Sequence, residues 1–376
     1  MNRMLKVLKK EPMLVVSLLA AVISLFVTPP SVQLLSSIDW KTLATLFMLL
    51  SVLDGFKKEN LFLPLIKLAS GFKTAKSLTL FFVYSVFFSS MFVTNDVSLI
   101  IFVPLTMYMF REAKKEKYIL PILALENIAA VRGSLLTPFG SPQNLFLYEK
   151  SGLSSFDFMK MMSPLWIGSF VLLYLFISVM FIKDPKQKID VDEVSAGQWE
   201  SDRKFKRILY LSLFLVIVFS ILSRTKYWPL IVILVVVSLL IFDRQVFVRV
   251  DYVLLLTFLC FFIFSSSITA NKSIADFLSR TVTNREYWSS LILSQVISNV
   301  PASIVLWPFT NNLKALLYGL DSAGLITIIG SLASVINLRL YSREYPGRAM
   351  QFMKWFEIIS LAFFVIIVIP QYFICR

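Results

Sequence analysis

Between Lys76 and Arg111 the chain runs for 34 residues with one charged side chain, Asp96, at its middle. The surrounding tract reads Ser89-Ser90-Met91-Phe92-Val93-Thr94-Asn95-Asp96-Val97-Ser98-Leu99-Ile100. A stretch this long and apolar fits the hydrocarbon core of a bilayer, where an ionised side chain near the centre costs about 2.5 to 3.5 kcal/mol. Asp96 must therefore face protein or water rather than lipid. The plain alternative is a carboxylate that caps the following helix. Far downstream, Gln295-Val296-Ile297-Ser298-Asn299-Val300-Pro301 again sets a Ser/Thr-Asn pair inside an apolar run. Two such tips point to a duplicated binding element.

Composition agrees with a membrane setting. Apolar residues make up 57% of the chain and the mean hydropathy is +0.76, against an apolar share of about 45 to 50% in soluble domains. The formal charge of +14 is carried by short basic clusters between apolar runs, where it sets orientation and meets anionic lipid; no nucleic-acid partner is expected. Histidine is absent, which removes Ser-His-Asp chemistry, HExxH zinc sites and histidine proton relays. The two cysteines, Cys260 and Cys375, are too few and too distant for a disulfide framework. The N-terminal run after Lys6, Lys9 and Lys10 is read as a first span and not as a cleaved leader.

The hydropathy pattern predicts an all-α, polytopic chain with spans near 13–28 and 40–56 and an interfacial helix over 59–76. The tract at 77–110 has basic residues on both flanks, so the positive-inside rule favours a re-entrant hairpin turning at Thr94-Asn95-Asp96, with arms of about 14 to 17 residues. Two short full spans are the rival geometry. Further spans are expected near 163–182, 208–223, 228–242, 250–270 and 355–374, with a polar linker over 183–207 and a second hairpin over 286–313. The alternation makes the N-terminus cytoplasmic and the C-terminus external.

Two segments cannot continue as helices. Gly133-Ser134-Leu135-Leu136-Thr137-Pro138-Phe139-Gly140-Ser141-Pro142-Gln143-Asn144 carries two prolines and two glycines, and proline both removes a donor and collides with the preceding turn. Gly324 to Asn337 aligns with it, Thr137 with Thr327 and Gly140-Ser141 with Gly330-Ser331. Broken helices present free carbonyls to cations and half-helix N-termini to anions. The expected organisation is a first repeat over 1–182, a cytoplasmic linker plus one extra helix over 183–227, and a second, inverted-topology repeat over 228–376. Each repeat holds a re-entrant hairpin and a broken helix.

The tips Thr94-Asn95-Asp96 and Ser298-Asn299-Val300-Pro301, with the Leu136-Thr137-Pro138-Phe139-Gly140-Ser141-Pro142-Gln143-Asn144 loop, resemble the ion transporter superfamily. That group includes sodium-coupled dicarboxylate and citrate carriers, arsenite permeases and some sodium/proton antiporters. The resemblance implies a homodimer that moves a transport domain elevator-fashion in the cell membrane. It implies a small anionic substrate, and Na+ or H+ as coupling ion. Thr94, Asn95, Ser298 and Asn299 are then implicated at the tips, and Thr137, Gly140 and Gly330 at the loops. Asp96, Pro138, Ser141, Asn144, Val300, Thr327 and Ser331 complete the candidate substrate or ion site, with a Na+ expected at Asn95, Asp96 and Gly140. No other cofactor is expected. The third tip position, Asp96 in one repeat and Val300 in the other, departs from the Ser-Asn-Thr pattern of the dicarboxylate carriers. Arg132 is either an anion clamp and partner of Asp96 or a cation reaching an interface, and Glu126 has no assigned role. The rival functions are a cation/proton antiporter using Asp96, an oxyanion permease, a passive channel, and a membrane-embedded enzyme. The last is disfavoured by the absence of any nucleophile and base constellation.

Overall fold

The computed structural model of the protein describes residues 12–29, 36, 38–59, 61, 68–183 and 204–375. The basic N-terminus, much of the expected interfacial helix and residues 184–203 of the expected linker lie outside the described residues. Within them the chain is helical throughout.

The helices are α1 Pro12–Val27, α2 Trp40–Lys58, α3 Ala75–Val93, α4 Asn95–Glu112, α5 Ile119–Gly133, α6 Pro142–Ser151, α7 Ser155–Met180, α8 Lys204–Ser223 and α9 Trp228–Asp243. They continue with α10 Val246–Arg249, α11 Tyr252–Ala270, α12 Lys272–Val282, α13 Glu286–Ile297, α14 Asn299–Leu306, α15 Leu313–Ala323, α16 Leu332–Glu344 and α17 Ala349–Cys375. Among the described residues α3, α7, α8, α11 and α17 are long and apolar enough to cross a bilayer, and α1 and α9 are shorter apolar helices.

Local chemistry sets the boundaries. Asp39 caps α2 by accepting the Thr42 N–H at 3.0 Å, and Lys57 and Lys58 close it where cations favour the dipole. Thr74 and Ser77 form a reciprocal capping box at the start of α3. Ser154 caps α7, so this helix begins well before the expected residue 163 and carries Pro164 inside it. The expected hairpin arms are also corrected. Those of the first hairpin have 19 and 18 residues, those of the second 12 and 8. Only a 3-10 turn at Ala69–Gly71 is described ahead of α3. The final helix starts at Ala349, ahead of the expected 355. Sequence reading left 271–285 unassigned; there Asn271 caps the amphipathic α12, whose Ile274, Ala275, Leu278 and Val282 turn inward.

Two layers follow from the packing. In the first, α1 lies along α11, and α2 packs against α8, α9 and α10. Its polar knot is Asp243, which meets Lys58 Nζ at 2.9 Å and the Tyr210 hydroxyl at 3.0 Å, while Arg249 Nε reaches Asp54 at 2.7 Å. In the second, α3 packs on α5 and α13 on α15, while α4 packs on α16 and α14 on α6, and α7 and α17 cover the assembly. Each hairpin thus grips the first half of its own broken helix and the second half of the other.

The two hairpins are rooted far apart. Arg111 at the end of α4 pairs with Glu344, just before α17 begins. At the other root, Glu286 accepts the Asn311 and Asn312 N–H groups at 3.2 and 3.3 Å, and Asn312 Nδ2 donates to the Cys375 carbonyl at 2.9 Å, at the end of α17. The 27 residues of α17 separate these roots by about 40 Å at the α-helical rise.

Close helix contact depends on two glycines. A Cβ on Gly133 would stand 1.9 Å from the Phe87 carbonyl, and one on Gly319 would stand 2.3 Å from the Tyr287 carbonyl. Gly133→Ala is therefore expected to cost about 1–3 kcal/mol through overpacking, read as a lower melting temperature of the purified protein. Gly168→Ala, with nothing within 4 Å of the new Cβ, should melt as wild type. Equal melting of both variants would contradict this packing.

Candidate functional site

Both tips are built alike. Thr94 has φ 70° and ψ 157°, Ser298 has φ 68° and ψ 160°, and each hands over directly to a helix that begins with Asn95 or Asn299. A non-glycine residue at positive φ is uncommon, and holding it costs on the order of 1–3 kcal/mol. The turn opens α4 and α14, whose first N–H groups lack a backbone partner within the helix; in α4 the Asp96 N–H is met by Asn95 Oδ1 at 2.9 Å. Asn95, Ser298, Asn299 and Val300 are buried.

Asp96 is the second residue of α4, not its cap; Thr94 holds the N-cap position. One carboxylate oxygen of Asp96, Oδ1, is buried without a hydrogen-bond partner. The charges that act on it are Lys57 at the end of α2 and Asp251 at the start of α11. The helix-cap alternative is thereby excluded, and so is Arg132 as its partner.

The two breaks also share a geometry. The Gly140 N–H donates to the Thr137 carbonyl at 3.3 Å and the Gly330 N–H to the Thr327 carbonyl at 3.1 Å. A Cβ on Gly140 would lie 2.1 Å from the Ser134 carbonyl, and one on Gly330 the same distance from the Ala323 carbonyl. Glycine is needed because the loop folds back onto the end of its own half-helix. Ser141 and Ser331 are extended, with φ −147° and −148°, and lead into α6 and α16. Each break is tied to the arm that carries a tip. Thr137 Oγ1 donates to the Met91 carbonyl, three residues before Thr94, while Thr327 Oγ1 donates to Gln295 Oε1 at 2.7 Å, three residues before Ser298. Pro138 is buried at the first break.

Where the broken helices cross, their side chains bond in pairs. Asn127 Nδ2 donates to Ser334 Oγ at 3.0 Å, Asn337 Nδ2 to the Leu123 carbonyl at 2.8 Å, and Gln143 Nε2 to Asp321 Oδ1 at 2.9 Å. Arg132 is fully buried, so the reading of it as a cation reaching an interface is overturned. Its Nη2 donates to Ser322 Oγ at 3.3 Å, while Nε and Nη1 have no partner. Both polar atoms of the Asn144 side chain and Ser141 Oγ are buried without partners as well. Glu126 is fully buried and accepts a hydrogen bond from Thr106, with Oε2 unpartnered.

Sequence reading missed Asp321, Gln143, Gln295 and Asn127 as polar contacts of this crossing. Asp321 could have been found: it lies shortly before a break in a helix that is otherwise apolar around it. The assembled site offers helix N-termini and amides suited to an anion, and loop carbonyls suited to a monovalent cation. Among the described residues no group of three or more His, Cys, Asp or Glu side chains could hold a metal ion.

The citrate transporter family model matches residues 4–327, covering both tips and the whole first break. The chain belongs to the citrate transporter family. It is 31% identical over 304 residues to the uncharacterized transporter MJ0456 of Methanocaldococcus jannaschii, covering 81% of each chain. It is likewise 31% identical over 311 residues to the inner membrane protein YbiR of Escherichia coli K12, again covering 81% of each. The protein is a membrane transporter and not an enzyme.

The crossing yields a test that needs no substrate. Gln143→Leu removes the donor to Asp321 Oδ1 and should cost about 1–3 kcal/mol, because a buried acceptor is left unpaired. Ser141→Ala removes a hydroxyl that has no partner and should be near neutral. Denaturant melts of the two variants decide, and equal stability would remove the Gln143–Asp321 bond from the account.

Proposed function

We propose that the protein is a secondary active transporter that carries a small anion, of the di- or tricarboxylate class, coupled to Na+ or H+. The observation that carries this reading is the paired construction: two positive-φ tips, each opening a buried Asn-led helix, and each bonded by a threonine to a helix break. In this reading the tips bind the carboxylates through helix N-termini and the Asn95 and Asn299 amides. The carbonyls around Thr137, Gly140, Thr327 and Gly330 hold the coupling cation.

The halves are read as inverted repeats, supported by roots at opposite ends of α17. The basic clusters at Lys57–Lys58, Arg111–Lys117 and Arg339–Arg348 are read as cytoplasmic, in keeping with the positive-inside rule. The layer holding hairpins and breaks is the moving body, and the α1, α2, α8, α9 and α11 layer is the scaffold and the dimer surface. One observation favours a second reading: the unpartnered Asp96 oxygen also suits a cation/proton antiporter in which Asp96 exchanges the ions.

Uptake of labelled citrate into proteoliposomes, with and without Na+ and pH gradients, separates the two. The symport reading expects gradient-driven accumulation of citrate. Proton movement driven by Na+ alone, with no citrate uptake, would move the assignment to antiport, and uptake of an oxyanion such as arsenite in place of citrate would move it to oxyanion transport. Two variants sharpen this. Gly140→Val should insert normally yet lose uptake, because a side chain there collides with the Ser134 carbonyl. Asp96→Asn keeps shape and a carbonyl acceptor while removing charge, so uptake should persist with its Na+ or H+ stimulation lost. Unchanged ion-dependence in Asp96→Asn would remove Asp96 from the coupling step.

A further inference from the structure

Two opposite charges sit at the crossing of the broken helices. Asp321, near the end of α15, is 2% exposed, and Arg132, near the end of α5, is 0% exposed. Each is under-satisfied. Asp321 has Gln143 on Oδ1 and no close hydrogen bond on Oδ2, with the Asn144 amide the next polar group to act on it, and Arg132 has Ser322 on Nη2 and nothing on Nε or Nη1. They act on each other electrostatically without closing into a direct hydrogen-bonded pair. A buried guanidinium and a buried carboxylate normally complete each other's hydrogen bonds, since the desolvation cost of each is large. Here two of the three guanidinium nitrogens and one carboxylate oxygen are kept open, between two elements that both lead into a break.

We propose that Asp321 and Arg132 form a proton-linked charge pair, in which Asp321 takes up a proton and leaves the Arg132 guanidinium to the carboxylate of an anionic substrate. The proposal rests on the anion-transport reading and names the ion that this reading leaves open. A proton from water adds to Asp321 Oδ2 and breaks no covalent bond. The charge of the pair then changes from neutral to singly positive, and one substrate carboxylate restores neutrality. Proton and anion each favour the binding of the other, which is a thermodynamic coupling between two sites.

The surroundings leave few competing groups. From α13 comes Tyr287, whose hydroxyl donates to Gln371 Oε1 at 3.0 Å; from α15 itself comes Tyr318, bonded to the Met161 carbonyl of α7 at 2.8 Å. From α17 come Gln371 and Cys375, and from α6 come Gln143 and Asn144; α14 has no titratable side chain. Lys314 lies over the Tyr318 ring, 5.7 Å from its centroid. Arg132 is therefore the cation that answers Asp321, and among the described residues no second carboxylate acts on it.

The test is pH-difference infrared spectroscopy of the purified full chain in lipid nanodiscs, read at the C=O stretch of protonated carboxyls. Wild type should show a band that grows as pH falls and vanishes in Asp321→Asn but survives in Glu126→Gln and Asp96→Asn. In Arg132→Gln the same band should persist to a pH higher by about 1–3 units, the usual effect of losing an adjacent opposite charge. A spectrum unchanged by Asp321→Asn would overturn the proposal. If that variant does not fold, a band in Arg132→Gln that titrates as in wild type overturns it equally. Citrate uptake under a pH gradient, measured on the same preparations, keeps the two readings apart. Wild type that takes up no citrate counts against the substrate reading alone, and the infrared result still decides the pair.

Discussion

In hydrocarbon every backbone N–H and C=O must find a partner inside the protein, and this chain interrupts its helices at four places. The rest of the architecture follows from covering those interruptions. At Thr94 and Ser298 the chain turns through a positive φ and starts a new helix at once, so only a single residue is lost to the ladder. At 134–141 and 324–331 the loss is longer, and it is made good by folding each loop onto its own half-helix at Gly140 and Gly330 and by fixing it to a hairpin through Thr137 or Thr327. The packing of hairpin arms on both halves of the broken helices covers the first break, while at the second break Ile329 stays 52% exposed.

This constraint explains the distribution of polar residues. Asn127, Gln143, Ser322, Ser334 and Asn337 have no job in lipid and a clear one at the crossing, where each pairs across the two broken helices. Paired buried amides contribute little net stability, but leaving one unpaired is costly, so they fix which half meets which. The charges Arg132, Asp321 and Glu126 are different in kind. They remain partly unsatisfied in a dense interior, each with at least one polar atom that has no hydrogen-bond partner. Their absence from the lipid-facing surface is what the bilayer demands.

Much of this was legible in the sequence because the signals were local. Thr94-Asn95-Asp96 and Ser298-Asn299 stood out as polar pairs in apolar runs. The Pro138, Gly140 and Pro142 cluster forbade a continuous helix, and the match of Thr137 with Thr327 and Gly140 with Gly330 located the second break without any proline. What was not legible depended on the fold. The arms of the hairpins are unequal because their lengths are set by neighbours, α16 and α7 for one and α6 and α11 for the other, rather than by composition. The start of α7 was hidden by Pro164, which α7 accommodates in its interior. Arg132 stayed open between an anion clamp, a partner of Asp96 and an interfacial cation because nothing in its own segment supplies a partner; Ser322 and Asp321 come from far along the chain. Asp321 went unremarked, although it lies shortly before Gly324 in a helix otherwise apolar around it.

The account divides the protein into a body of hairpins and broken helices and a scaffold that holds it, joined at one end by Lys41 and Glu149 at 2.7 Å and by Asp39 and Lys150 at 3.1 Å. Relative movement of these two layers is the central claim, because it alone turns a buried site into a transport route. The direct measurement is citrate uptake by a variant with cysteines at positions 41 and 149, before and after cross-linking, beside one with cysteines at 111 and 344 inside the moving body. In both variants Cys260 and Cys375 are replaced by serine. The account predicts arrest by the 41–149 link, recovery on reduction, and undiminished uptake with the 111–344 link. Full transport with 41 and 149 covalently joined would contradict it.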